Sequence, residues 1–251
     1  MFPLIRGWAD VVRTPRTNVR LGAVLALVAG AANAGGFLAV GQYTSHMTGV
    51  VSSVADNLAL GDVALALTGV GSYLAFVLGA MTTAVLVNWG LRRQLRSAYG
   101  LPLLLEALLL LVFGVFGAVM SVMVAVFVPL TVVLLCFMMG LQNAVITKIS
   151  KAEIRTTHVT GLTTDLGIEL GKLLYVNRGD VPARVLANRH VLRLHGLLIA
   201  CFFTGGVLGA LGFRSFGYAT TVPLALMLLL LVARPVLDDL RRRRQEDGSC
   251  R

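Results

Sequence analysis

Two short strings hold the residues that could do chemistry: Thr44-Ser45-His46-Met47-Thr48-Gly49 and, 112 residues later, Thr156-Thr157-His158-Val159-Thr160-Gly161. A histidine changes charge near neutral pH, so it can bind a substrate or relay a proton. The flanking hydroxyls have the chemistry to cap a first helical turn, where free backbone N–H groups favour an anion or the negative end of a substrate. A second shared piece precedes each string, Gly30-Ala31-Ala32-Asn33-Ala34 and Gly140-Leu141-Gln142-Asn143-Ala144, here 110 residues apart. Asn33 and Asn143 add amide hydrogen bonds. The candidate substrate site is therefore His46, Thr48, Gly49 and Asn33 with His158, Thr160, Gly161 and Asn143. The competing reading is structural: buried Thr, Ser and His bridge helices, and a repeated string can record only a repeated fold.

With a helix starting at each histidine, positions 0, +7 and +11 share one face. That face carries His46, Ser53 and Asn57 in the first copy, and His158, Asp165 and Glu169, then Lys172, in the second. Asp165 and Glu169 are the candidates for proton or ion coupling. An ordinary helix-face pair of Asp165 with Lys172, or a cytoplasmic amphipathic helix, accounts for them equally well. No His-x-x-x-His pair or cysteine cluster has metal-ligand spacing, and no nucleotide-binding motif is present. No metal, no cofactor and no catalytic constellation is expected.

The elements that must position these residues are membrane helices. The chain is 57% hydrophobic and 14% charged, against about 25% charged in soluble domains. From Leu21 through Ala55 there is no charged residue, and from Ser97 through Thr147 only Glu106. A span needs about 20 apolar residues, so the second run holds two. The boundaries read as a leader over 1–20, repeat one over 21–121 (spans 21–40, 65–91 and 101–121, half-helix 45–60), repeat two over 122–234 (spans 128–147, 194–213 and 218–233, half-helix 157–173) and a basic tail over 235–251. Pro102 and Pro129 suit first helical turns. Gly179-Asp180-Val181-Pro182 reads as a turn. Glu106 is expected to snorkel toward Arg92, Arg93 or Arg96, and His190 and His195 to sit at the interface.

Net charge is +10, but the basic residues fall in loops rather than one patch, which excludes a nucleic-acid partner and points to topology. Of 22 Lys and Arg, only Arg214 falls in an outside loop; both termini are then cytoplasmic. Three spans per half forces the halves into opposite orientations, the inverted-repeat layout of many secondary transporters. The fold class expected is all-α, six transmembrane helices in two inverted three-helix repeats, each with a His-Thr-Gly half-helix.

The repeated Thr-(Ser/Thr)-His-x-Thr-Gly motif, Gly140 to Ala144, and the Asp165 to Gly167 run resemble the YoaK family, bacterial inner-membrane proteins of unassigned function. The resemblance spans the chain from the first to the sixth span. It implies a multi-pass protein of the bacterial inner membrane with no established substrate. The residues themselves point to a small-molecule secondary transporter or permease, not an enzyme, for anionic or carboxylate-bearing metabolites and with proton coupling. A membrane-embedded enzyme on a lipid or quinone and a non-catalytic scaffold are the alternatives. The partners expected are the lipid bilayer, a small-molecule substrate and a second copy in a homo-oligomer.

Overall fold

Thr14 and Pro15 start the first helix. The Thr14 hydroxyl accepts from the Thr17 N–H at 3.3 Å while the Thr17 hydroxyl accepts from the Thr14 N–H at 3.0 Å, a reciprocal cap with proline at the first helical position. Helix α1 therefore spans Pro15–Val40 and draws Arg16 and Arg20 into its first turns, six residues ahead of the expected start. In the computed structural model, which describes residues 8–119, 124–177 and 184–249, it is followed by α2 (Met47–Ala59), α3 (Val63–Arg92), α4 (Gly100–Val119), α5 (Val124–Ser150), α6 (Val159–Leu174) and α7 (Arg189–Phe216). A 3-10 turn (Gly217–Thr220) leads into α8 (Thr221–Ser249). The turn expected over 179–182 lies outside the described residues. No strand occurs among them.

Four helical stretches are long and apolar enough to cross a membrane: Pro15–Val40, Val63–Arg92, Val128–Ser150 and Arg189–Arg242, with Gly100–Val115 a shorter apolar helix. The last stretch is 54 residues, about 80 Å if straight, and it folds back at the 3-10 turn. Gly217 has φ +59°, a Cβ on Gly212 would touch Thr220, and the Phe213 and Tyr218 rings lie 6.2 Å apart. The outer faces of α3 and α7 are apolar and exposed at Leu74, Leu78, Met81, Val85, Phe203 and Leu211, as lipid-facing helices require.

The most extensive interfaces join α1 to α7 and α3 to α5, so each half's first helix packs on the other half's third. Glycine makes both contacts possible. A Cβ on Gly30 would collide with the Phe202 carbonyl oxygen, and one on Gly140 with the Phe76 carbonyl oxygen. In return, a Cβ on Gly205 would meet the Leu27 carbonyl and one on Gly79 the Phe137 carbonyl. Gly30 and Gly140 stand 110 apart, Phe76 and Phe202 126 apart, and Gly79 and Gly205 also 126 apart, so the two contacts occupy corresponding positions. Small residues let backbones approach where apolar lipid supplies no hydrophobic drive between helices.

The buried core joins α1, α4, α5 and α8 through Leu25, Val28, Leu110, Met138, Met139 and Leu228. Gln142 Nε2 donates to the Leu25 carbonyl at 2.5 Å, tying α5 to α1. The Thr83 hydroxyl donates to the Leu141 carbonyl at 3.0 Å, tying α3 to α5. Glu106 corrects the snorkelling expectation: it is fully buried in α4, and neither carboxyl oxygen has a partner among the described residues. Arg96, one of its expected partners, is held instead by Asp10 and Asp238.

The basic tail is not simply a solvated end. α8 runs through it to Ser249, and the buried Asp239 accepts from the Arg96 N–H at 2.9 Å, the Ser97 N–H at 2.8 Å and the Ser97 hydroxyl at 2.6 Å. Asp10 Oδ2 accepts from Arg96 Nη2 at 2.5 Å, and the Val11 N–H donates to the Arg96 carbonyl. The residues before α1, the α3–α4 link and the tail end of α8 thus meet in one polar knot.

Candidate functional site

Each link after a long helix doubles back along it. The Ser45 hydroxyl donates to Asn33 Oδ1 at 3.0 Å, and the Thr157 hydroxyl donates to Asn143 Oδ1 at 2.8 Å. Asn33 and Asn143 each lie seven residues before their helix ends, so the link is drawn back about 10 Å at 1.5 Å per residue. The chain then turns into α2 or α6, whose first residues stay at that depth.

His46 and His158 are the N-cap residues of α2 and α6, and neither helix has a side-chain cap. This departs from the expected Thr and Ser caps. Ser45 and Thr157 hold the asparagines instead, and the Thr44 and Thr156 hydroxyls are buried without a partner among the described residues. The first N–H groups of α2 and α6 accordingly find no acceptor among the described residues. Each imidazole folds over the start of its own helix: a Cβ on Gly49 would strike the His46 ring, and one on Gly161 the His158 ring. That is the physical reason for glycine three residues after each histidine.

The two motifs line one cavity of about 540 Å³. Asn33, His46 and Thr48 reach it from the first half, and Asn143, His158 and Thr160 from the second. Gly49 and Gly161 do not line it; they seat the imidazoles that do. Sequence reasoning missed Phe76 and Phe202, which complete the apolar wall, and Tyr43, which stacks on Phe37 with ring centroids 4.7 Å apart. A signal for the phenylalanines was present: Phe76-x-x-Gly79-Ala80 returns as Phe202-x-x-Gly205-Gly206.

The halves differ in what their polar groups leave free. Asn143 Nδ2 donates to the Met139 carbonyl at 2.8 Å, whereas Asn33 Nδ2 has no acceptor among the described residues. The Ser45 N–H also donates to Asn33 Oδ1, which fixes the oxygen and leaves the amide N–H₂ for the cavity. Arg155 Nη1 lies 3.2 Å from His158 Nδ1. Guanidinium can only donate, so the contact is a hydrogen bond only where Nδ1 accepts. No carboxylate is among the described lining residues.

Asp165 and Glu169 lie off this cavity, between α6 and α7. Asp165 Oδ2 is 3.8 Å from His195 Nδ1, and His195 is buried within the protein, with Nδ1 making no hydrogen bond among the described residues. Glu169 Oε1 accepts from Lys172 Nζ at 2.6 Å, and Oε2 accepts from the Asn188 N–H at 2.6 Å. Lys172, then the Asn188 N–H, hold the Glu169 carboxyl below the usual carboxylate range. A lowered native value contributes stability that is present above the unfolded value and lost as pH falls through the native one. The stability difference between the wild type and Glu169→Gln is therefore expected to be full at neutral pH and to shrink below about pH 4. Thermal unfolding in detergent across that range measures it.

The described residues contain no group of three metal-ligating side chains. No curated protein and no solved structure matches the chain. A family model described as "Protein of unknown function (DUF1275)" matches residues 21–233, from within α1 to within α8. A match over that share of the chain settles its kinship, and the protein belongs to the DUF1275 family, all-helical and rich in membrane-length helices.

Proposed function

We propose that the protein is a small-molecule secondary transporter or permease whose substrate site is the cavity between the His46 and His158 motifs. The carrying observation is that two motifs 112 residues apart contribute corresponding side chains to one cavity. A scaffold built only for packing has no need of a polar cavity. In this reading α1, α3, α4, α5, α7 and α8 cross the bacterial inner membrane as two inverted halves, both termini are cytoplasmic, and α2 and α6 are re-entrant half-helices. The crossed pairing of α1 with α7 and α5 with α3 supports the repeat. Loop charge supports the orientation. The likeness to the YoaK family fits the same setting.

The free groups at the cavity include dedicated donors, the Asn33 amide and the uncapped first turns of α2 and α6, beside the Thr48 and Thr160 hydroxyls and the His46 ring, which can donate or accept. Donors without carboxylates favour an anion, and a carboxylate-bearing metabolite is the class proposed. Asp165 and Glu169 contribute to coupling through the α6–α7 contact and not by touching substrate. Proteoliposomes loaded with a panel of small carboxylates test the reading. Flux is expected from the wild type, falling at least ~10-fold in Asn33→Ala and in His46→Ala, an interaction loss of about 1.4 kcal/mol or more. Both variants are expected to stay monodisperse. Absence of wild-type flux across the panel overturns the proposal.

A further inference from the structure

A second, smaller cavity of about 280 Å³ runs between α2 and α3. Its walls include Gln42, Ser53, Asn57, Thr68 and Ser72, and it shares Tyr43 and His46 with the central cavity. Several of its polar side chains are already engaged, two of them by the backbone of α3. The Thr68 hydroxyl donates to the Ala64 carbonyl at 3.0 Å, the Ser72 hydroxyl to the Thr68 carbonyl at 2.9 Å, and Asn57 Nδ2 to Ser53 Oγ at 3.1 Å. Such a lining wets the groove and holds nothing tightly. A passage needs that property, since what enters must also leave.

The corresponding place in the second half carries larger and charged side chains. At the motif offset of 112, Ser53 answers to Asp165 and Asn57 to Glu169; at the α3–α7 offset of 126, Gly69 answers to His195. Where the first half has a bare glycine lining a groove, the second has a buried imidazole facing Asp165 at 3.8 Å. Farther along α6, Glu169 ties that helix to the Asn188 N–H at the start of α7.

We propose that the α2–α3 groove is the substrate's way into the central cavity, and that His195, with Asp165 and Glu169, plugs the equivalent way between α6 and α7. The proposal rests on the transporter reading of the central cavity. It makes the described conformation one that is open on the α2 face and shut on the α6 face, with departure on the α6 side requiring α6 to lift from His195 and release Asn188.

The test is thiol labelling of a chain whose Cys136, Cys201 and Cys250 are replaced by alanine. Val159→Cys reports on the central cavity, which Val159 lines. Leu60→Cys and Leu174→Cys, exposed at the outer ends of α2 and α6, identify the two faces. A membrane-impermeant maleimide is applied to sealed vesicles of either orientation. Labelling of Val159→Cys is expected to be at least ~10-fold faster from the Leu60 face than from the Leu174 face. Adding Gly69→His should remove that advantage, and adding His195→Gly should open the Leu174 face.

A Cβ at Gly69 would press on Val54, so Asn57→Trp serves as the blocking variant if Gly69→His does not fold. Equal labelling from both faces, or a rate indifferent to the blocking variant, overturns the route and leaves the central site standing. Failure of Val159→Cys to label from either face, with Leu60→Cys and Leu174→Cys reactive, overturns the route and the transporter reading together.

Discussion

Gly140→Leu is expected to abolish folded protein, and Gly30→Leu to do the same. A Cβ at either position would fall on a carbonyl oxygen of the opposing helix, Phe76 for Gly140 and Phe202 for Gly30. Backbone cannot rotate away as a side chain can, so α5 must separate from α3, or α1 from α7, along their whole contact. Overpacking of a tight core costs about 1–3 kcal/mol where side chains give way, and a backbone collision belongs to the tail beyond about 4 kcal/mol. Separation of these helices would also part the walls of the cavity, which Phe76 of α3 and Phe202 of α7 share with Asn143 of α5 and Asn33 of α1. Detergent size-exclusion after membrane extraction reads the outcome. Gly171→Leu is the control, since a Cβ there meets nothing within 4 Å and the variant should be recovered like the wild type.

Asp239→Ala is expected to cost about 3 kcal/mol, lowering the midpoint of thermal unfolding by roughly 6–12 °C for a chain of this size. The carboxylate satisfies two backbone N–H groups and a hydroxyl, and alanine leaves all three without their acceptor. Its neighbour provides the contrast. Asp238 reaches Arg96 at 3.4 Å with the Arg96 side chain 52% exposed, so solvent screens the pair and Asp238→Ala should stay within about 1 kcal/mol of wild type. A midpoint equally insensitive to both substitutions would mean that the knot does not hold the tail end of α8 in place.

Much of the arrangement was legible because two different repeats carried it. The His-Thr-Gly strings placed α2 and α6, and the upstream Gly-x-x-Asn strings placed the residues that receive them, so the six residues now lining the cavity with donors and rings were readable by type and spacing alone. The partners of those residues were not. Sequence period tells which side of a helix is apolar, not which helix lies against it, and in lipid nearly every side is apolar. Phe76 and Phe202 therefore stayed unread inside runs of equally apolar residues, although their shared Phe-x-x-Gly spacing marked them as repeated. Glu106 was misplaced for a related reason: nearness to Arg92, Arg93 and Arg96 along the chain implied nearness in space, whereas its position on α4 turns it toward the core. The leader over 1–20 and the tail over 235–251 were read by charge alone, whereas the Thr14 cap starts α1 ahead of Arg16 and Arg20 and α8 runs on through its arginines to Ser249.

The crossed pairing of α1 with α7 has a consequence for synthesis. Gly30 emerges from the ribosome 175 residues before the Gly205 backbone that covers it, an interval of roughly 10–35 s at ordinary elongation rates. Throughout that time the notch in α1 faces lipid or a temporary guest, while α5 can dock on the already finished α3. The second half is therefore born onto a waiting partner and the first is not. Assembly is gated by the last third of the chain, and a chain stopped after α6 would keep the complete first motif yet leave α1 unmatched, a natural mark for membrane quality control.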